Sequence, residues 1–365
     1  MQTQPAAWSV TLGQLGLECM GSLAERVGFA RGEIAAMQWL FSELVHPWGG
    51  VDMRLPPPWP SDVSDDHSPF EFSVAVGGSR PELRVLVESR GDPPTLESNQ
   101  RWGLNINAML QQRYGVNLDR FEQVRELFLP ARPEGVFAIW HAVSFWPGRA
   151  PEFKLYLNLA AQGKARAPEV AQRALETLGF GGAWPEVVRH SMRRGELDQL
   201  MYFSLDLSST AAARVKLYFR HHDADCAVLE ESAQGPVGGL CRALAGGDGP
   251  YLGKGPVVCL GFVESQPNAP SARTLYFPIA AYAPNDRVAR DRVAEFLRSQ
   301  GLPAADYTGP LEGFARRRLE DGVGMQSYAS LRWSNGRPRV TVYFSPEAYH
   351  VAAPRPRLTM NRSDS

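Results

Sequence analysis

The chain has 365 residues, of which 44% are apolar and 21% are charged, which is ordinary for a globular protein and unlike a disordered or collagen-like one. Its formal net charge of −1 gives no overall field that would attract nucleic acid or an anionic membrane, so an anion site has to come from local clustering. Four scattered cysteines, without a CxxC pair and without a secretory leader before them, indicate reduced thiols in a cytoplasmic protein. No apolar run reaches the roughly 18 residues that a membrane-spanning helix needs.

Helical periodicity appears in five parts of the chain, where apolar residues recur three and four positions apart and several stretches end at glycine. The predicted helical stretches are 18–45, 98–115, 167–179, 284–301 and 309–322.

Between these stretches the period changes to alternation, with β-branched and aromatic residues in pairs of short runs. The pairs are 70–77 with 83–88, 136–146 with 153–159, 201–208 with 214–219, 257–264 with 273–280, and 327–333 with 338–344. Turn residues at 77–79 and 334–336 are typical of tight antiparallel connections. The sequence therefore predicts five β-hairpins that alternate with helices.

Helices on one side of a ten-stranded antiparallel sheet would leave its other face uncovered. Closing the sheet into a barrel removes both that face and the open edges. A barrel of ten strands is too wide for side chains alone to fill, so we expect a central solvent-filled chamber. The prediction is an α/β (α+β) protein with one barrel domain over residues 1–350 and a disordered tail over 351–365.

Polar side chains recur on one face of the predicted strands, because residues two positions apart point to the same side. The motifs are "ELRVLV", "EFKLYL", "RVKLYF", "RTLYFP" and "RVTVYF". In any single strand, a solvated cation beside a tyrosine is the ordinary explanation. Four tyrosines, each preceded on the same face by a cation or a hydroxyl, instead indicate a ring of tyrosines beside a ring of cations inside the chamber.

Arginine and lysine side chains are suited to a diphosphate, and aromatic faces attract a cation by about 0.5–2 kcal/mol each. An allylic diphosphate ionises into both species, a diphosphate anion and an allyl cation. Groups aimed at charge that develops only in the transition state accelerate such a step.

The segments "SPFEFSV" (68–74), "KLY", "RVKLY", "LYFP" and "VYFSP", in this order across residues 15–350, resemble the aromatic prenyltransferases of the dimethylallyltryptophan synthase type. The resemblance implies the ABBA barrel of that family, five αββα units around the active site. The richness in alanine, arginine and glycine is typical of a bacterial member. A monomer or homodimer that acts on small molecules, without a nucleic acid or membrane partner, is expected.

The resemblance implies a role for each matching position. Glu71 would accept the indole N–H and help to move the proton, although a rim carboxylate is the alternative reading. His141 would be a base or simply a polar residue lining the chamber. The implied diphosphate ligands are Arg84, Lys154, Arg214, Lys216, Thr274 and Arg339. The implied tyrosine shield is Tyr156, Tyr218, Tyr276 and Tyr343, and the implied acceptor pocket includes Met201 and Tyr328.

One departure from the family bears on the acceptor, because Met201 stands where fungal tryptophan enzymes carry an arginine that grips the amino-acid carboxylate. We therefore expect transfer of a dimethylallyl group from dimethylallyl diphosphate to the indole ring of a cyclised tryptophan derivative, such as an indolactam or cyclic dipeptide, in secondary metabolism. The alternatives are tryptophan itself, a phenolic or tyrosine-derived acceptor, and a non-catalytic carrier of an anionic amphiphile.

No obligatory cofactor is expected, because the resemblance implies that cationic side chains replace magnesium. "HHDAD" (221–225) is interpreted as a solvated turn rather than a metal site, and "DVSDD" (62–66) as part of a proline-rich loop. The preceding "RLPPPWPS" (54–61) is extended by its prolines and is predicted to cover one mouth of the barrel.

Overall fold

Ten antiparallel strands close into a single barrel in the computed structural model, which describes residues 11–78, 80–334 and 336–355. Each strand pairs with its neighbours in the chain, and β1 closes the barrel by pairing with β10. The strands are β1 Phe70–Val76, β2 Glu82–Glu88, β3 Ile139–Phe145, β4 Glu152–Asn158, β5 Asp198–Asp206, β6 Val215–His221, β7 Val257–Phe262, β8 Ala272–Phe277, β9 Gln326–Ser334 and β10 Arg337–Phe344. All five predicted hairpins are confirmed.

Helices surround the barrel and connect its hairpins. They are α1 Leu12–Val27, α2 Arg31–Leu44, α3 Leu96–Tyr114, α4 Asp119–Phe128, α5 Ala167–Thr177, α6 Trp184–Ser191, α7 Cys226–Ala233, α8 Gly238–Ala245, α9 Ile279–Tyr282, α10 Asp286–Ser299 and α11 Ala305–Phe314. None of these described helices is long and apolar enough to cross a membrane.

Two helices or more therefore precede each hairpin, where the sequence pattern predicted one before each of the first three hairpins, none before the fourth and two before the fifth. The stretch 18–45 is two helices, because Gly28 ends α1 in the left-handed region at φ 97°. The stretch 309–322 was predicted too long, since α11 ends at Phe314. Helices α4, α6, α7 and α8 were missed because each spans only eight to ten residues, too few to show a clear period.

The core of the protein lies outside the barrel wall, between strands and helices. On β6 the side chains of Val215, Leu217 and Phe219 face outward and are fully buried. Lys216 and Tyr218 alternate with them and face the lumen, where both line cavities. The same alternation holds around the barrel. Polar side chains face the lumen and apolar side chains face outward, where the helices cover them, which is the reverse of a barrel with an apolar interior.

The C-terminal prediction needs a correction. Ala352 forms a β-bridge with Val323, and the Arg355 backbone N–H donates to the Pro284 carbonyl at 2.8 Å. The predicted disordered tail from residue 351 is therefore wrong for 351–355, which lie against the barrel domain. The rest of that prediction lies outside the described residues.

Candidate active site

Six cationic side chains from five strands or their ends converge at one end of the lumen. This cationic compartment is lined by Arg84, Lys154, Arg214, Lys216, Arg332 and Arg339. Its cavity holds about 880 Å³ of empty space, and Thr274 and Thr341 add hydroxyl groups to its wall. The structure thus brings together all six predicted diphosphate ligands and adds Arg332.

Two carboxylates, those of Asp206 and Glu82, hold four of these cations. Asp206 accepts from Arg214 Nε at 2.8 Å and from Lys216 Nζ at 2.7 Å. Glu82 pairs with both Arg84 and Arg339. Burial acts to raise the pKa of Asp206, but the charges of Lys216 and Arg214 outweigh it and hold the pKa well below its ordinary value. Asp206 is therefore ionised at neutral pH.

The two lysines of this compartment have lowered pKa values that a bound anion would raise again. Burial lowers the pKa of Lys154 well below its ordinary value, and the neighbouring charges of Lys216 and Arg84 lower it further. Burial also lowers the pKa of Lys216, followed by the charge of Arg214. A bound polyanion would reverse these effects, because opposite charges favour the ammonium form.

Four tyrosines form a continuous band across the lumen above the cations. Their ring centroids lie 5.7 Å apart for Tyr156 and Tyr218, 5.8 Å for Tyr218 and Tyr276, and 5.7 Å for Tyr276 and Tyr343. All four rings line the cationic compartment on one side and a second cavity on the other. The predicted tyrosine shield therefore separates two compartments of one lumen.

The second cavity, the aromatic compartment, holds about 710 Å³ of empty space. Trp140, Tyr202 and Tyr328 contribute to its wall, and the Trp140 and Tyr202 rings are 5.0 Å apart. Aromatic walls of this kind suit a flat apolar ring such as an indole.

Residues 53–69, here called the covering loop, close the mouth of the aromatic compartment. Asp62 and Val63 line the cavity directly. Trp59 Nε1 donates to Glu88 Oε1 at 3.0 Å, and Asp65 pairs with Lys254. The sequence placed the cover at 54–61, whereas the loop residues that line the cavity, Asp62 and Val63, come directly after that segment.

Glu71 lies at the boundary and lines both compartments. It is buried, and Ser327 Oγ donates to its Oε2 at 2.8 Å. Burial raises the pKa of Glu71 to about 8, against the opposing effects of the Ser327 hydrogen bond and the Lys254 charge. The rim position considered from the sequence is therefore wrong, and the carboxyl group can exchange a proton near neutral pH.

His141 does not lie in either compartment, which corrects its predicted position. The register of β3 turns Trp140 and Ala142 toward the lumen and His141 outward, beneath α3. There its Nε2 donates to Asn107 Oδ1 at 2.8 Å and its Nδ1 accepts from Ser89 Oγ at 2.6 Å. Burial lowers the pKa of His141 to about 3, so the ring is neutral and ties helix to barrel.

The two predicted acceptor-pocket residues are placed differently. Tyr328 lines the aromatic compartment, and Lys254 lies 5.0 Å from its ring centroid. Met201 sits at an irregularity of β5 between Leu200 and Tyr202, and it packs on the inward cluster that contains Tyr218. A β-bulge turns neighbouring side chains to the same face, which brings Met201 toward the lumen beside Tyr202.

The segment 221–225 is a turn only in part. His221 ends β6 and is buried, with its Nδ1 2.7 Å from Asp198 Oδ1 and its Nε2 2.8 Å from Ser232 Oγ. The prediction of a solvated turn is wrong for His221. Within the described ranges no group of three or more histidine, cysteine, aspartate or glutamate residues is arranged to hold a metal ion.

Several site residues were missed from the sequence. Arg332 and Arg220 continue inward-facing alternations that contain Tyr328 and Tyr218, so the strand period could have found them. Lys254 lies in a glycine-rich connection without any period. Its place in the site follows only from the closed barrel.

Comparison with known proteins agrees with this geometry. A family model described as tryptophan dimethylallyltransferase matches residues 17–234. The chain belongs to this family. Its members are prenyltransferases, and the closed ten-stranded barrel is the ABBA fold that the sequence predicted.

Solved structures match this chain over nearly its whole length. The 6-dimethylallyltryptophan synthase from Micromonospora olivasterospora, in complex with DMASPP and Trp, is 34% identical with a TM-score of 0.89, over 95% of this chain and 100% of that chain. The 5-dimethylallyltryptophan synthase from Streptomyces coelicolor is 31% identical with a TM-score of 0.86, over 94% of this chain and 100% of that chain.

Curated relatives match over shorter segments. Xanthone prenyltransferase B from Emericella nidulans is 33% identical over 122 residues, which is 32% of this chain and 25% of that protein. The matched part of the chain thus spans about a quarter of that relative's length.

Proposed function

We propose that this protein transfers a dimethylallyl group from dimethylallyl diphosphate to the indole ring of tryptophan or a tryptophan-derived compound. The observation that carries the proposal is the division of one lumen into a cationic and an aromatic compartment by four tyrosines. A donor in this lumen would place its diphosphate among the cations and its allyl group within the tyrosine band.

The first step would break the bond between the allylic carbon and its oxygen, and the electron pair would leave with the diphosphate. Arg84, Lys154 and Lys216 would stabilise the negative charge that develops on the leaving group. The tyrosine faces would stabilise the allyl cation and keep water away from it. The diphosphate ligands and the tyrosine shield named from the sequence keep these roles in the proposal.

In the second step a carbon of the indole ring would attack the allyl cation and form the new carbon–carbon bond. The ring would then lose the proton from that carbon and regain its aromaticity. Glu71 lies between the compartments, where its carboxylate would accept the indole N–H and increase the electron density of the ring. Its raised pKa suits a group that also has to pass on a proton.

The class of acceptor depends on groups that contact the amino-acid end. Position 201 carries methionine instead of an arginine that would bind the acceptor's carboxylate. This favours an indolactam or a cyclic dipeptide as the acceptor. Arg220 and Lys254 in the aromatic compartment are cations that could serve a free amino acid instead. The likeness to a xanthone prenyltransferase over part of the chain adds a phenolic compound as a second candidate acceptor.

The six cationic side chains also support our proposal that the reaction requires no divalent metal. They supply positive charge around the leaving group where many allylic diphosphate enzymes use magnesium.

The test is incubation with dimethylallyl diphosphate and, in separate reactions, tryptophan, a tryptophan-containing cyclic dipeptide and tyrosine. The expected result is a mass gain of one prenyl unit on an indole acceptor, with release of inorganic diphosphate. Parallel reactions with heat-denatured protein serve as the inactive control. Absence of prenyl transfer to every indole compound would refute the proposal, and transfer to tyrosine alone would support the phenolic candidate.

A further inference from the structure

The cationic compartment lies at the end of the barrel that carries the hairpin turns, here called the hairpin end. Arg84 and Lys154 each stand two residues after the start of a strand that begins at a turn, β2 and β4. The covering loop precedes β1 and therefore meets the barrel at its other end. The diphosphate would thus be released near the hairpin turns, with the tyrosine band between it and the covered mouth.

A pocket on the outside of the hairpin end, here called the arginine pocket, holds about 740 Å³ of empty space. Arg80 reaches it from the turn between β1 and β2, Arg149 from the turn between β3 and β4, and Arg339 from β10. No carboxylate lines the pocket within the described residues. Its described wall therefore carries three positive charges and offers a site for an anion.

Arg339 joins the arginine pocket to the cationic compartment, because its side chain lines both. One of its terminal nitrogens pairs with Glu82, but its Nε is buried and has no hydrogen-bond partner within the described part of the chain. A buried donor without an acceptor is costly, which indicates a group supplied from outside the chain. An anion that moves between the two cavities would pass this guanidinium group.

The two arginines from the turns are available to such an anion. Arg80 is exposed and forms no ion pair with the residues that the structure describes. Arg149 lies over the Trp146 ring, 5.3 Å from its centroid, and 3.9 Å from the Glu152 carboxylate. That separation is too long for a hydrogen bond, and an exposed ion pair of this kind is weak.

A groove of about 1190 Å³ at the same end is a second possible route out of the lumen. It shares Lys154 and Arg214 with the cationic compartment, but Asp206 and Glu152 also line it. Carboxylates repel a polyanion, whereas the arginine pocket only attracts one. The charges therefore favour the arginine pocket as the route.

We propose that Arg80, Arg149 and Arg339 form an outer diphosphate site through which the diphosphate product leaves the lumen. This inference rests on the proposed prenyl transfer and adds a route for its inorganic product. Positive charges along a path speed the movement of an anion, and several weak sites in series let it leave again. The prenylated acceptor would leave by the covered mouth, so neither product has to cross the tyrosine band.

The experiment measures how fast inorganic diphosphate enters and leaves the unmodified protein and the double variant Arg80→Gln/Arg149→Gln. Stopped-flow tryptophan fluorescence gives the association and dissociation rate constants, and titration calorimetry gives the Kd. Both rate constants should fall about 10- to 100-fold in the double variant, the usual size of electrostatic steering, with the Kd of the cationic compartment nearly unchanged. A higher barrier on a route slows both directions equally, which a lost binding contact does not do.

Two further double variants serve as controls. Arg80→Lys/Arg149→Lys keeps both charges, so its rate constants should stay close to those of the unmodified protein. Arg54→Gln/Arg318→Gln is the matched control, because it also removes two exposed positive charges, 75% and 74% accessible, and neither residue lines the arginine pocket. Its rate constants should not change.

A second measurement tests the outer site at equilibrium. Dimethylallyl thiolodiphosphate, a donor analogue with sulfur as the bridging atom, fills the cationic compartment first. Inorganic diphosphate should then still bind weakly to the unmodified protein and fail to bind to Arg80→Gln/Arg149→Gln. Absence of this second binding event in the unmodified protein would overturn the outer site.

The remaining outcomes separate the inference from the proposed function. Unchanged rate constants in Arg80→Gln/Arg149→Gln would overturn the inference and leave prenyl transfer standing. A weaker Kd with faster dissociation would overturn it as well, because the two arginines would then only stabilise the bound diphosphate. Failure of inorganic diphosphate to bind the unmodified protein at all would instead contradict the donor site of the proposed function.

Discussion

The ionisation of Glu71 gives a prediction about the pH dependence of the reaction. Its pKa is raised to about 8 by burial, so the carboxylate that would accept the indole N–H is the minor form at neutral pH. The ionised fraction is roughly 0.1 at pH 7 and roughly 0.9 at pH 9 for such a pKa. We therefore expect kcat/KM for the indole acceptor to rise about tenfold between these pH values.

The assay is prenyl transfer at saturating dimethylallyl diphosphate over about pH 6 to 9.5. Saturation matters because Lys154 and Lys216 also have lowered pKa values, and their loss of protons would weaken donor binding at high pH. The negative charge of the bound donor raises the pKa of Glu71 further, so the midpoint of the rise should lie at pH 8 or above.

Glu71→Gln provides the comparison, since the amide has nearly the same shape but does not titrate. This variant should lose about 100-fold or more in kcat, as expected for loss of a general base, with a smaller change in donor binding. Its remaining activity should show no rise with pH. A rate that falls as pH rises through this range would mean that the protonated carboxyl is the active form and would refute the reasoning.

Three further changes test other parts of the site. Lys216→Ala should reduce kcat by about 100-fold or more through lost stabilisation of the leaving group, and unchanged kinetics in a folded variant would contradict the assignment. His141→Ala should lower the free energy of unfolding by about 1–3 kcal/mol, because Asn107 and Ser89 lose their buried partner, with kcat unchanged; a large kcat loss at normal stability would instead restore His141 as a base. Excess chelator should leave prenyl transfer unchanged, and a loss that added magnesium restores would show a metal requirement.

The strand pattern predicted the barrel and most of the site because alternation is a local property. Glu71 and the four tyrosines lie on the polar face of strands whose opposite face is mostly apolar. The alternation in the sequence therefore indicates which face is inward. His141 was misplaced because β3 carries tryptophan on its inward face and histidine on its outward face. The hydrophobic pattern is reversed there, and a shift of one residue changes the face.

Groups that meet across the barrel could not be predicted in the same way. Asp206 ends β5, and its pairing with Lys216 depends on the register between β5 and β6. Lys254 and Asp65 pair only because the covering loop folds back over the barrel mouth. These contacts join segments far apart in the chain, and no local period reports them.

Asp206 carries a negative charge inside a compartment that we propose binds a polyanion. Its role there is to stabilise the neighbouring cations. Its contacts at 2.7 and 2.8 Å make it the direct counter-ion of Lys216 and Arg214. Removal of one partner from such a buried group costs about 3–5 kcal/mol, because the other charges are left unpaired. Asp206→Asn should therefore unfold at a lower temperature than the unmodified protein.

Inorganic diphosphate can replace that counter-ion, and it meets less repulsion when the carboxylate is gone. Its stabilising effect in thermal unfolding should consequently be larger for Asp206→Asn than for the unmodified protein, since a ligand that binds the folded state more tightly stabilises it more at the same concentration. Asp52→Asn is the control, because Asp52 pairs with the exposed Arg54 outside the lumen. A smaller effect of diphosphate on Asp206→Asn would show that the carboxylate is needed to hold the cations in their binding positions.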